Sequence, residues 1–152
     1  MTALRDDPRV TPFRHVNTVH FDELDPLGIL HNARYALHVE RATTAFLRGH
    51  GFRWAADTAD NPDQFQVVRR FEIDFELPFI GTGPLAVELS ATHIGTTSLR
   101  YRFRCVGPSG ESHAHGSRSV VKLDPDTFRP EPWTARWRAA HLTVLERADG
   151  TT

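Results

Sequence analysis

Apolar side chains recur at Tyr35, Val39, Ala42 and Phe46, at intervals of +4, +3 and +4 that place them on one helical stripe. His38, Arg41, Ala45 and Arg48 fall on a more polar face, and Gly49 and Gly51 are stop signals. The spacing predicts a helix of about 14 residues, roughly 21 Å long. Ahead of it, residues 13–21 have mixed β character and read as a strand. Behind it, residues 54–63 read as a loop with a short helix around 55–59. The period then changes to two. Phe71, Ile73, Phe75 and Leu77 alternate with Arg70, Glu72, Asp74 and Glu76, as in a strand with one wet face. Residues 78–84, with Gly81 and Gly83, are turn chemistry, after which Leu85, Val87, Leu89 and Ala91 alternate up to Gly95. Leu99, Tyr101, Phe103 and Cys105 make a third apolar row opposite Arg100, Arg102 and Arg104. A turn at 107–110 leads to a fourth strand over 113–123. Trp133, Trp137, Ala140 and Val144 repeat the +4, +3, +4 spacing and predict a C-terminal helix.

Strand, long helix, then a meander of strands is the order of an α+β fold, one antiparallel sheet packed on one helix. Such a sheet leaves edges that a second copy can pair with, so a homo-oligomer is expected. The 152 residues suit a single domain, 1–152. Charged residues are 24% of the chain and nearly cancel, leaving a formal net charge of −1, which argues against nucleic acid as the main partner. No run approaches the roughly 18–20 apolar residues that span a bilayer. Residues 1–10 are polar, with no apolar core of a signal peptide, and one cysteine makes no internal disulfide. The expected location is the cytoplasm.

The chemistry concentrates where the chain enters the long helix, in Asp25-Pro26-Leu27-Gly28-Ile29-Leu30-His31-Asn32-Ala33-Arg34-Tyr35, with Glu40-Arg41-Ala42 following. A helix N-terminus offers unpaired N–H groups and partial positive charge to a developing oxyanion. Asp25, seven positions before Asn32, is placed to supply a nucleophile or general base across a bound carbonyl. That combination points to acyl transfer or thioester hydrolysis.

With those elements placed, the Asp-Pro-x-Gly-(aliphatic)2-x-x-x-x-Tyr segment and the Glu-Arg-Ala helix resemble the hydroxybenzoyl-CoA thioesterase branch of the hotdog-fold superfamily. The Asn-Ala-Arg-Tyr ending is similar to its long-chain acyl-CoA and acyl-carrier-protein relatives. Phe71-Glu72-Ile73-Asp74-Phe75, then Pro78 and Gly81, and Gly95-Thr96-Thr97-Ser98 extend the likeness over about residues 13–123. The resemblance implies a hotdog fold, an antiparallel sheet wrapped around a long central helix, assembled as a homodimer or homotetramer. It implies hydrolysis of an acyl-CoA or acyl-carrier-protein thioester, with Asp25 as catalytic carboxylate and the Asn32 backbone N–H on the thioester oxygen. No metal or organic cofactor enters that scheme. The benzoyl-specific branch has basic residues just before the serine matching Ser98; here His93, Gly95, Thr96 and Thr97 stand there.

Each candidate also has a plainer reading. Asp25 before Pro26 suits a turn, Asn32 suits a helix N-cap, and His31 either assists the carboxylate or is an exposed residue near the helix start. Tyr35, Glu40, Phe71 and Ser98 are the substrate-binding candidates; Glu40, beside the apolar stripe, equally suits a structural salt bridge. Phe46, Phe71, Phe75 and Tyr101 are candidates to line or support an acyl pocket. The stripe of Arg100, Arg102 and Arg104 reads as cross-strand pairing in preference to a phosphate grip. His113 and His115 share a strand face but lack an evident third ligand for a metal. Two other classes stay open: a hotdog hydratase or dehydratase, and a non-catalytic acyl-CoA or acyl-carrier binding protein.

Overall fold

The computed structural model describes residues 11–147, so the polar stretch 1–10, from which no signal peptide is expected, lies outside the described residues. Five strands and two helices follow in the order β1 (Phe13–Val19), α1 (Tyr35–Gly49), β2 (Gln66–Phe75), β3 (Gly83–Ile94), β4 (Ser98–Val106), β5 (Ser112–Lys122) and α2 (Ala135–Leu142). The strands form one antiparallel sheet in the order β1-β3-β4-β5-β2, curled about α1 in the hotdog arrangement. The expected meander is therefore β3-β4-β5, and the two strands that precede it in sequence close the sheet from opposite edges. No helix among the described residues is long and apolar enough to cross a membrane.

Helix α1 packs chiefly on β1 and β3. It buries Tyr35, Val39, Ala42 and Phe46 as the spacing predicts, together with Thr43 and His38. His38 is fully buried instead of lying on a polar face, and Glu40 is exposed instead of lying beside the core. The reason is the breadth of the buried arc. At about 100° per residue it runs some 140° from His38 round to Thr43, and Glu40 lies about 60° beyond its end. His38 tolerates this position because Glu23 reaches its ring, while Asn17 of β1 donates to the His38 carbonyl at 3.0 Å.

The core rows of β3 and β4 are Leu85, Val87, Leu89 and Ala91 facing Leu99, Tyr101, Phe103 and Cys105, all within 1% of complete burial. Phe46 and Tyr101 thus belong to the core, and Cys105 is a buried apolar residue whose thiol burial pushes up to about 12. On the opposite face the arginine stripe is consumed in pairing: Arg104 with Glu88 at 3.2 Å, Arg102 with Glu146 at 2.9 Å, and Arg100 with the Ser119 hydroxyl at 3.3 Å.

Strand β2 starts at Gln66, earlier than the alternation shows, because a bulge at Arg69 breaks the period between Val68 and Arg70. It is an edge strand, and Phe75 and Leu77 are about half exposed at its end. Gly116 of β5 is where β2 presses closest. A Cβ there would collide with the backbone carbonyl of Glu72, so only glycine fits.

The 55–59 segment is a turn and not a helix. Gln64 ties it down by accepting from the Ala55 amide and donating to the Ala55 carbonyl, at 2.8 and 2.7 Å. Helix α2 begins at Thr134, whose hydroxyl caps the Trp137 amide. Buried Asp63 holds that cap by accepting from Thr134 N–H at 3.0 Å, and pairs with buried Lys122 at 3.2 Å. The end of α2 is fixed by His141, which bonds the Tyr101 hydroxyl at 2.7 Å and the Trp137 carbonyl at 2.8 Å.

Candidate active site

Between β1 and α1 the chain makes a small loop whose geometry is set by Asp25. The Asp25 N–H donates to the Ile29 carbonyl at 2.8 Å, and the Gly28 N–H to the Asp25 carbonyl at 2.9 Å. Asp25 Oδ1 accepts from the Leu27 and Ile29 amides at 2.8 and 3.3 Å. Gly28, at φ 76°, makes the left-handed turn this requires. The turn and catalytic readings of Asp25 are therefore compatible. One oxygen is committed to the loop, and Oδ2 has no hydrogen bond among the described residues. The loop is anchored from below by Leu30 N–H on the Phe79 carbonyl and Gly81 N–H on the Gly28 carbonyl, both 2.9 Å.

The entry to α1 is a single 3-10 turn, Asn32–Arg34, capped by His31 and not by Asn32. His31 Nδ1 accepts the Ala33 amide at 3.0 Å, which fixes the neutral tautomer with its proton on Nε2. His31 can thus donate to a ligand but has no free lone pair with which to act as a base. The same cap leaves the Asn32 N–H as an amide without an acceptor among the described residues at the start of the helix, where partial positive charge accumulates.

Asp25, His31, Asn32 and Tyr35 line one open cavity of about 630 Å³. Its opposite wall is Phe75, Glu76, Leu77 and Pro78 from the end of β2. Tyr35 is buried, with its ring edge-on to Phe75 at 5.2 Å. Burial pushes its phenol up to about 12, so it stands as a neutral wall.

The remaining candidates lie elsewhere. Glu40 is exposed on the helix, Phe71 borders a second hollow of about 660 Å³ with Arg102 and His115, and Ser98 sits at the β3–β4 turn, its carbonyl accepting from Gly95 N–H and Trp133 Nε1. His113 is engaged by the Leu77 carbonyl and Glu111, and His115 lies between Asp74 and Glu76. No group of three or more metal-ligating side chains occurs among the described residues.

Two features escape the sequence pattern. Glu76 is a second carboxylate at the cavity, held below the usual range by the Ser112 hydroxyl that donates to it. It ends an alternating row, and nothing in its spacing separates it from a solvated strand residue. Glu23 and His38 form a buried pair at 2.7 Å under the loop. Burial pushes the Glu23 carboxyl up, but the His20 amide at 2.7 Å and the His38 ring outweigh it and hold the group low. Burial likewise pushes the His38 ring down, so it donates from Nε2 as a neutral imidazole. The Glu23 carbonyl accepts the His31 N–H at 3.0 Å, which ties this pair to the helix entry.

Comparison with known proteins places this arrangement. Residues 27–111 match the family described as thioesterase superfamily. The chain is 28% identical over 120 residues to the acyl-CoA thioester hydrolase YbgC of Escherichia coli O6:H1, covering 79% of this chain and 88% of that protein. It is 28% identical to a thioesterase from Thermus thermophilus solved with coenzyme A and Zn, with a TM-score of 0.71 over 91% of this chain and 97% of that one. A 1,4-dihydroxy-2-naphthoyl-CoA thioesterase from Synechocystis, at 15% identity, shares the fold with a TM-score of 0.75 over 86% and 95% of the two chains.

Proposed function

The chain belongs to the thioesterase superfamily, and from that membership we propose that it hydrolyses an acyl thioester at the Asp25 cavity, releasing a carboxylic acid and a thiol. The observation that carries the reading is the pairing, across one cavity, of an amide with no acceptor among the described residues, Asn32 N–H, and a carboxylate with an oxygen uncommitted among them, Asp25 Oδ2.

The thioester carbonyl oxygen accepts the Asn32 N–H, whose interaction strengthens as charge moves onto that oxygen. His31 Nε2–H is a second donor on the same rim. Asp25 Oδ2 acts from the other side of the acyl carbon, either attacking it or taking a proton from the water that does. In both routes the C–S bond breaks and the thiol departs as thiolate; attack by Oδ2 leaves an acyl–aspartyl anhydride that water then hydrolyses to free the acid and Asp25, whereas in the other route water forms the acid directly. Loop amides on Oδ1 keep the carboxylate aimed without quenching Oδ2. Tyr35 and Phe75 bound the acyl side, with Phe71 further along the sheet.

Coenzyme A is the expected carrier, supported by the relatives named above, and an acyl-carrier-protein thioester fits the same chemistry. We further propose one domain over 1–152, a cytoplasmic location, and a homodimer or homotetramer that covers the half-exposed Phe75 and Leu77 at the β2 edge. Purified protein mixed with aliphatic and aromatic acyl-CoAs, and with acyl carrier protein conjugates, tests the reaction by thiol release. Release together with an equal amount of free acid supports it; an enoyl product without thiol, or tight binding without turnover, would overturn it.

A further inference from the structure

Arg118 is a charge on the wrong side of the sheet. On β5 it stands directly opposite Tyr101 on one neighbour and Phe71 on the other. Residues so paired share a face, and Tyr101 is fully buried in the core. Arg118 therefore points to the apolar side that carries the helices. It remains partly exposed, yet its Nη1 is sealed from water and has no hydrogen-bond acceptor, and it pairs with no carboxylate among the described residues. A guanidinium in that setting is costly unless an oxyanion meets it.

The surroundings indicate where that oxyanion comes from. Helix α1 packs chiefly on β1 and β3, and it meets the β5–β2 half of the same face at its first residue, Tyr35 against Phe75. Phe75, Ile73 and Phe71 of β2 run along it as an apolar row. The row begins at Phe75, which is a wall of the Asp25 cavity, and ends beside Arg118. Arg118 is four residues along β5 from Ala114, the partner of Phe75, or about 13 Å at the strand rise.

We propose that Arg118 is a specificity residue, and that the acyl group this site prefers carries a remote carboxylate. This rests on the hydrolase reading above. The thioester carbonyl sits at Asn32, the methylene chain follows Phe75, Ile73 and Phe71, and the distal carboxylate pairs with the Arg118 fork. Arginine matches a carboxylate in plane and with two donors, and a purely aliphatic tail of the same length would leave it unpaired.

Matched-length thioesters test this: hexanoyl-CoA against adipyl-CoA, and octanoyl-CoA against suberyl-CoA. The expected result is a kcat/KM about tenfold or more higher for the carboxylated member of at least one pair, with the preference lost in Arg118→Met and partly kept in Arg118→Lys. Both rates come from one enzyme sample, so a misfolded fraction does not change their ratio. The same pairs are then measured for Kd on Asp25→Asn with and without Arg118→Met. A preference in Kd without turnover of any thioester keeps the role of Arg118 and contradicts only the hydrolase reading. No preference in the wild type, or an unchanged ratio in Arg118→Met, overturns the proposal. So does a shift of both Arg118→Met and Glu40→Gln to a smaller species in solution with the ratio unchanged, which would assign the missing carboxylate to the helix of a second copy.

Discussion

Lowering the pH from 7 to 4 will destabilise this protein in part through the imidazole of His141. The ring is fully buried, accepts the Tyr101 hydroxyl at Nε2 and donates from Nδ1 to the Trp137 carbonyl. Burial pushes its pKa down from 6.5 to about 4, with the nearby His50 adding to the shift and the Trp137 carbonyl and Asp63 opposing it. A depressed histidine means that the unfolded chain binds the extra proton first. The contribution of neutral His141 is complete above about pH 6.5, falls as pH drops toward 4, and is level below that. At 1.36 kcal/mol per unit, a displacement of this size is worth about 3 kcal/mol. For a chain of this length that corresponds to roughly 10 °C in Tm. Urea unfolding of wild type and His141→Phe at several pH values across this range isolates the effect, because every other titrating group is common to both. The difference between the two should be largest at neutral pH and shrink by about 3 kcal/mol toward pH 4. A difference that is constant with pH would mean that His141 binds its proton in the fold as it does in the unfolded chain, and the neutral Tyr101–His141–Trp137 chain would be wrong.

Other positions give sharper tests of packing. Gly116→Ala should lower unfolding free energy by about 3 kcal/mol, because the new Cβ meets the Glu72 carbonyl and β2 must shift; a neutral change in urea unfolding would deny that close approach. Lys122→Met should cost about 3–5 kcal/mol by stranding the buried Asp63 carboxylate, and adding Asp63→Asn should recover part of the loss, as read by a double-mutant cycle.

The long helix and the strands of the meander are legible in the sequence because each buries one face, so the period of apolar residues shows directly. Where both faces are wet or both are covered, the period fails. Val67 and Val68 are both exposed around the Arg69 bulge, and the start of β2 is hidden for that reason. His38 and Glu40 trade places because a buried polar residue with a partner 15 positions away looks like a surface one. The same limit governs the site. The Asp25 turn and the helix entry are local in sequence and can be read from the motif, including the amide of Asn32. That His31, and not Asn32, caps the turn depends on a rotamer. That Glu76 faces the cavity, and that Arg118 stands against Phe71 and Tyr101, depends on strand register, which for β2 and β5 pairs residues far apart in sequence, such as Phe71 with Arg118.

The central claim is that Asp25 Oδ2 acts on a carbonyl held by Asn32 N–H, and the direct measurement is kcat/KM for thiol release by wild type and Asp25→Asn on the best acyl-CoA found. The asparagine keeps the side-chain oxygen that the Leu27 and Ile29 amides require and removes the nucleophile or base. The account predicts a fall of roughly a hundredfold or more with unfolding midpoints that coincide. A variant that retains activity within a few-fold of wild type would contradict it and move the catalytic carboxylate elsewhere, with Glu76 the next to test.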